Sequence, residues 1–188
     1  MVGLRWQLKD KVGKLQFSDI SNNVELVPGV VSDAVKNNNL ADVLVSKIDP
    51  SLADTAAFCE AYGIGMDISA NCVIVEAKRG DRIWYAACVI LATDRADING
   101  IVRKHLDARK ISFAPMDLAV NMTGMEYGGI TPIGLPSDWT IIIDTRVNDS
   151  DKVIVGSGLR GSKLLIPGNL IASLAHTVVL DIVKAETV

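Results

Sequence analysis

An α+β fold is what this sequence predicts, and three observations carry the prediction. Nearly half of the 188 residues are apolar (49%) while aromatics make up only 5%, so the core must be built from Val, Ile, Leu and Ala, as in a sheet packed against helices. Short runs of period-two alternation are interleaved with segments whose apolar residues recur at helical spacing. Two long apolar runs flank the turn Lys78-Arg79-Gly80-Asp81, the mark of a β-hairpin. The length suits one core and not two.

Residues 1–40 are the least regular stretch and are expected to form an N-terminal arm packing on a domain that spans 41–188. Asn22 with Asn23, and the triplet Asn37-Asn38-Asn39, read as turns or helix ends, and a short strand is expected near 14–17. Val43 and Val45, with polar Asp42 and Ser46 on either side of them, lead into Ile48 as a strand that Pro50 and Ser51 end. A helix of about three turns should start at Ser51, with Asp54 completing a capping box, and stop at Gly63. Residues 72–77 and 83–92 are the two hairpin strands, and the second, apolar on both faces, should be central.

Asp97 is placed to cap a helix that turns Ile98, Ile101, Val102 and Leu106 inward and Arg103 and Lys104 outward. A further helix is expected over 115–122, ending before Gly124, then three short strands near 140–144, 152–155 and 163–166. Pro167 suits the first turn of a last helix, with Leu170, Ile171 and Leu174 facing the core.

Composition narrows the function. A formal charge of −3 is not that of a protein gripping long nucleic acid, although contact with a short stretch of RNA remains open. No apolar stretch reaches the roughly 20 residues that cross a bilayer, so a cytoplasmic protein with no membrane partner is expected. Cys59, Cys72 and Cys88 are odd in number and lack paired metal-site spacing, so neither a metal nor another cofactor is expected. His105 and His176 are the only histidines and neither accompanies a Ser or Cys nucleophile motif, which argues against covalent hydrolases of the Ser-His or Cys-His type.

Chemistry concentrates in two glycine-rich loops, one running through Gly128-Gly129-Ile130-Thr131-Pro132-Ile133-Gly134 and the other through Gly156-Ser157-Gly158-Leu159-Arg160-Gly161. Bare glycine backbone lets N–H groups approach a carbonyl or phosphate oxygen, and proline fixes the chain beside them. Neither loop matches the phosphate-binding signatures, and taken singly each reads equally well as a tight turn.

In order and spacing, Ala70-Asn71-Cys72-Val73-Ile74-Val75, the segment 97–106, Lys110-Ile111-Ser112-Phe113-Ala114, Thr123-Gly124 and the two glycine loops resemble the YbaK/ProX aminoacyl-tRNA deacylase family over residues 41–175. The resemblance implies a mixed, partly barrel-like β-sheet flanked by helices, and a trans-editing hydrolase that removes a wrong amino acid from tRNA. Its partners would be a tRNA acceptor end carrying an amino acid and an aminoacyl-tRNA synthetase. By that resemblance the Gly128 to Pro132 loop positions the aminoacyl carbonyl and terminal ribose, and an oriented water or substrate group does the chemistry. Asn71, Gly128, Gly129, Thr131, Ser157 and Gly158 are the expected catalytic set; Met125, Ile130, Pro132, Ile133 and Gly156 would shape the substrate pocket, with Arg160 and Lys163 meeting acceptor-stem phosphates. Many members carry a lysine where Asn71 stands. Asn71 is then a substitute donor, the trace of a protein that binds aminoacyl-tRNA or a small aminoacyl ligand without turnover, or a structural Asn at a strand start.

Overall fold

The computed structural model describes residues 9–184, so the first eight residues of the expected arm and the last four of the expected domain lie outside the described residues. The N-terminal segment contains more regular structure than its sequence suggested. Strands β1 (Lys9–Val12) and β2 (Leu15–Asp19) form a tight antiparallel hairpin, and α1 (Gly29–Asn37) ends at the asparagine triplet. Phe17, Val31 and Val35 are buried, which fixes the segment to the rest of the molecule through apolar burial. The helix escaped notice in the sequence because its only buried residues are two valines, which are weak helix formers.

After β3 (Leu44–Lys47), Asp49 caps a 3-10 turn at Pro50–Leu52 and Asp54 caps α2 (Thr55–Tyr62), its carboxylate accepting from the Ala56 N–H. The expected start at Ser51 is therefore corrected. Ser51 donates to Asp49 within the 3-10 turn, Asp54 is the N-cap, and Gly63 ends the helix in the left-handed conformation. The hairpin is β4 (Ala70–Arg79) with β5 (Arg82–Leu91), in register from Ala70 opposite Leu91 to Arg79 opposite Arg82.

Asp97 accepts from the Gly100 and Ile101 N–H groups, as capping requires. The helix it opens is a π-turn, Ile98–Val102, running into the short α3 (Arg103–His105). The extra residue per turn changes the phase, so Ile98, Val102 and Leu106 are buried but Ile101, expected inside, is exposed. Strand β6 (Lys110–Phe113), α4 (Met116–Thr123), β7 (Thr140–Asp144), α5 (Thr145–Asn148), β8 (Val153–Gly156) and β9 (Ser162–Ile166) follow. In place of the expected last helix, Gly168–Ser173 is a 3-10 helix with Pro167 as its N-cap, and β10 (Thr177–Leu180) closes the described chain.

The strands form two five-stranded sheets, ordered β1-β2-β3-β9-β8 and β10-β7-β5-β4-β6. The first is antiparallel throughout, while β5-β7 and β7-β10 are parallel pairs in the second, and β5 is central as expected. A parallel bridge from Ser69 to Ile154 joins the start of β4 to β8, so the two sheets curl toward one another as a partial barrel. Buried Asp144 anchors the C-terminal segment, accepting from the N–H of Ile182 while its other oxygen caps α5. Among the described residues, no helix is long and apolar enough to cross a membrane.

Candidate active site

The seam between the sheets opens into a cavity of about 530 Å³ lined by the start of β4, the ends of β8 and β6, β9, and the first turns of α2 and α4. It has a polar end and an apolar end. Asp54, Thr55, Asn71, Arg160 and Lys163 stand at one, and Ile74, Ala114, Ala119 and Ile130 at the other.

Asn71 is held in place by its neighbour on α2. Thr55 Oγ1 donates to Asn71 Oδ1 at 2.7 Å, which orients the amide and leaves its NH₂ as the donating end. Lys163 reaches the cavity from the opposite sheet. Only 7% exposed, it donates from Nζ to the Ala53 carbonyl at 3.1 Å and lies 5.2 Å from the centre of the Phe58 ring. Burial holds its ammonium below the ordinary lysine value, with Arg160 also acting to lower it and Cys59 and Asp54 acting to raise it. An ammonium carries three donors, and one of Lys163's is committed to Ala53.

The edge of β4 supplies a third polar element. Ile74 O accepts from the Ala114 N–H (2.9 Å) and Lys78 O from the Arg109 N–H (2.8 Å), both on the β6 side. Alternation along the strand turns the peptide of Cys72 the same way. Pairing with β6 covers only 75–78 and the bridge to β8 falls at Ser69, so the Cys72 peptide lies on the stretch of β4 edge between them, where Cys72 lines the cavity. The Cys72 side chain is no nucleophile: burial, with Cys88 nearby, drives its thiol far up, and burial pushes Cys88 up to about 12.

The glycine loops do meet, and they brace each other as much as they line the cavity. The Gly158 N–H donates to Gly129 O at 2.7 Å and the Gly129 N–H to Glu126 O at 3.0 Å, so two of the backbone donors expected to face a substrate are committed within the loops. Gly156 lies against the carbonyls of Gly129 and Ile130, and a Cβ there would press on both. Ser157 is fully buried, with Oγ 2.7 Å from Ser162 Oγ and accepting from the Leu159 N–H. Arg160 ties the loops to α2's approach, donating to Tyr127 O (3.0 Å) and Pro50 O (3.2 Å). Gly128, with φ +80, leaves room for that guanidinium, which would sit 2.6 Å from a Cβ.

Of the residues singled out from sequence, Asn71, Gly128, Ile130, Gly156, Arg160 and Lys163 line this one cavity. Gly129, Thr131, Pro132, Ile133, Ser157, Gly158 and Met125 stand behind its wall, buried; the Thr131 N–H is 3.4 Å from the Met125 sulfur. Lys163 is too deeply buried to lie on an outer, phosphate-binding face. Sequence reading missed Thr55, Asp54 and the Cys72 peptide. The first two sit in a helix start that reads as ordinary capping, and the third depends on where β6 ends.

The model of the aminoacyl-tRNA editing domain family matches residues 49–174. A proline–tRNA ligase from Listeria monocytogenes is 20% identical over 154 residues, which is 81% of this chain and 26% of the ligase, so the chain spans about a quarter of the curated relative it matches. Among solved structures, one described as a candidate trans-editing enzyme for prolyl tRNA synthetase superposes with a TM-score of 0.71 at 15% identity, covering 83% of this chain and 96% of that one. A hypothetical protein superposes at 0.72 and 21% identity, covering 82% and 99%. These likenesses establish the fold.

Proposed function

The chain belongs to the aminoacyl-tRNA editing domain family, and from that premise we propose that it is a trans-acting deacylase, hydrolysing the ester that joins a wrong amino acid to the 3′ end of a tRNA. The observation that carries the reading is the convergence of Asn71, Lys163 and the Cys72 peptide on one cavity from two sheets. In the reaction a water oxygen adds to the ester carbonyl carbon. The carbonyl oxygen takes up negative charge, and the tetrahedral intermediate then expels the ribose oxygen, which receives the proton the water gives up. The Asn71 amide, the Lys163 ammonium and the Cys72 N–H are the donors for the charged oxygen, in a site where preorganised donors are worth most. Asp54 is the one carboxylate among the lining residues, and it suits the substrate's α-ammonium.

No histidine lines the cavity and its cysteine is held protonated, which supports attack by an oriented water without a covalent enzyme intermediate. Gly128 and Ile130 serve in this reading as the wall that positions the ester, with the rest of the 128–132 loop and the second glycine loop bracing it from behind. The N-terminal arm belongs to the same support: Pro28 and Val31 pack on Gly158, and the Val30 carbonyl packs on Gly134. The tRNA acceptor end and a synthetase are the proposed partners.

A panel of tRNAs charged with wrong amino acids tests the proposal. Release of at least one amino acid above the buffer rate is expected, and none at enzyme excess would overturn it. Asn71, uncharged where many relatives carry lysine, favours a second reading in which the protein binds aminoacyl-tRNA or a small aminoacyl ligand without turnover. Asn71→Lys separates the two, since a gain of hydrolysis absent from the parent would establish the binder.

A further inference from the structure

The mouth of the cavity is apolar where a solvent-facing rim should be polar. Phe113 is 65% exposed, Tyr127 57% and Met116 51%, and all three line the opening. Two exposed aromatic rings beside one cavity need a reason. Leading away from Phe113, the edge strand β6 runs back to Lys110, a distance of about 10 Å at strand rise. Lys110 stands directly opposite Lys78 on β4, and Arg109 is bonded through its backbone to the Lys78 carbonyl.

Like charges facing each other across a ladder are unfavourable, and Lys78, Arg109 and Lys110 are all exposed. Two neighbouring acids are engaged: Asp107 pairs with Arg79 at 2.7 Å, and Glu76 accepts from the Tyr85 hydroxyl at 3.1 Å. On a chain of net charge −3, this is a local basic patch awaiting an anion.

We propose that Phe113 and Tyr127 form a stacking platform for the unpaired terminal base of an RNA, and that Lys78, Lys110 and Arg109 carry its backbone phosphates along β6. The inference rests on the editing reading for the identity of what enters the cavity: once an aminoacyl ester is inside, the attached ribose and base must lie at the mouth. Aromatic faces accept any base, and basic side chains track a backbone without reading sequence, so the platform recognises a single-stranded RNA end in general. Choice of tRNA lies elsewhere.

The test uses uncharged tRNA whose 3′-terminal adenine is replaced by 2-aminopurine, titrated with the full-length protein, beside hydrolysis of aminoacyl-tRNA by the same variants. Binding should quench the fluorescence. Phe113→Ala should weaken binding about 5- to 150-fold and abolish most of the quench at saturation, while Phe113→Tyr retains both. Lys78→Ala with Lys110→Ala should leave the saturated quench intact and flatten the dependence of log K on log salt by about 1.4, at roughly 0.7 for each phosphate that is no longer neutralised.

Unchanged binding and quench in Phe113→Ala and Tyr127→Ala, with parental hydrolysis intact, would overturn the platform and leave the deacylase standing. Quench and salt dependence as expected, with no hydrolysis of any charged tRNA, would support the platform and overturn the deacylase. All four positions are exposed, so loss of fold does not confuse the outcome.

Discussion

Replacing Lys163 by Met is the sharpest test of the polar end of the cavity. Met matches much of the volume and removes the charge. The change deletes a hydrogen bond to the Ala53 carbonyl, whose desolvation costs about 1–3 kcal/mol when unpaired, and the cation's attraction to the Phe58 ring, about 0.5–2 kcal/mol. Against this, exchanging a buried charge for an apolar group recovers about 1–4 kcal/mol, so at mid-range the effects nearly offset, leaving a net loss of about 1 kcal/mol. Catalysis should suffer far more. One donor to a developing oxyanion is worth about 2.7–4 kcal/mol, or roughly 100- to 1,000-fold in kcat, with KM little changed. Because burial holds the Lys163 ammonium below its ordinary 10.5, the folded protein binds fewer protons than the unfolded one between that lowered value and 10.5. Parental stability therefore rises with pH through this window relative to Lys163→Met. The parental advantage in kcat moves the opposite way, falling as the ammonium is lost. Single-turnover deacylation and urea unfolding across pH read both quantities. A kcat within threefold of the parent, or a rate ratio independent of pH, would refute the role of Lys163.

Thr55→Val should lower kcat about tenfold by freeing the Asn71 amide to rotate, at a stability cost near 1 kcal/mol, and Thr55→Ser should restore the rate in the same deacylation assay. Gly156→Ala should lower stability by about 1–3 kcal/mol, seen as a reduced urea midpoint at constant m-value, because its Cβ meets the Gly129 and Ile130 carbonyls. Iodoacetamide at pH 8, followed by mass spectrometry, should leave buried Cys88 unmodified in the folded protein and modify it in denaturant, since burial holds its thiol protonated.

Elements with local causes were legible in the sequence. The hairpin declared itself through two apolar runs and a turn, α4 through Pro115 and Gly124, and the π-turn's cap through Asp97. Errors arose where a local pattern competed with another or where tertiary pairing decided. Asp49, Ser51 and Asp54 are all capping residues within six positions, and pattern alone does not say that two successive helical starts share them. β10 exists by lying parallel to β7, a partner that a run of four residues does not announce.

The same distinction governs the site. Glycine-rich loops are conspicuous in a sequence because their composition is unusual, and that drew attention to Gly129 and Gly158 as donors. Both N–H groups are instead spent holding the two loops together, and the glycines are needed because backbones pass too close for a Cβ at Gly129 and Gly156. The backbone donor proposed for the site falls on β4, in the plain apolar run containing Cys72, for a reason that no residue there encodes: β6 pairs with 75–78 and stops, and β8 meets the strand at Ser69. Lys163 is hidden for a related reason, since a lysine near the start of a strand reads as solvent-facing until a second sheet covers it. In this fold the loops set the shape of the cavity and the strands supply its polarity. Substitutions in the glycine loops should therefore register first in stability, and substitutions at Asn71 and Lys163 first in rate.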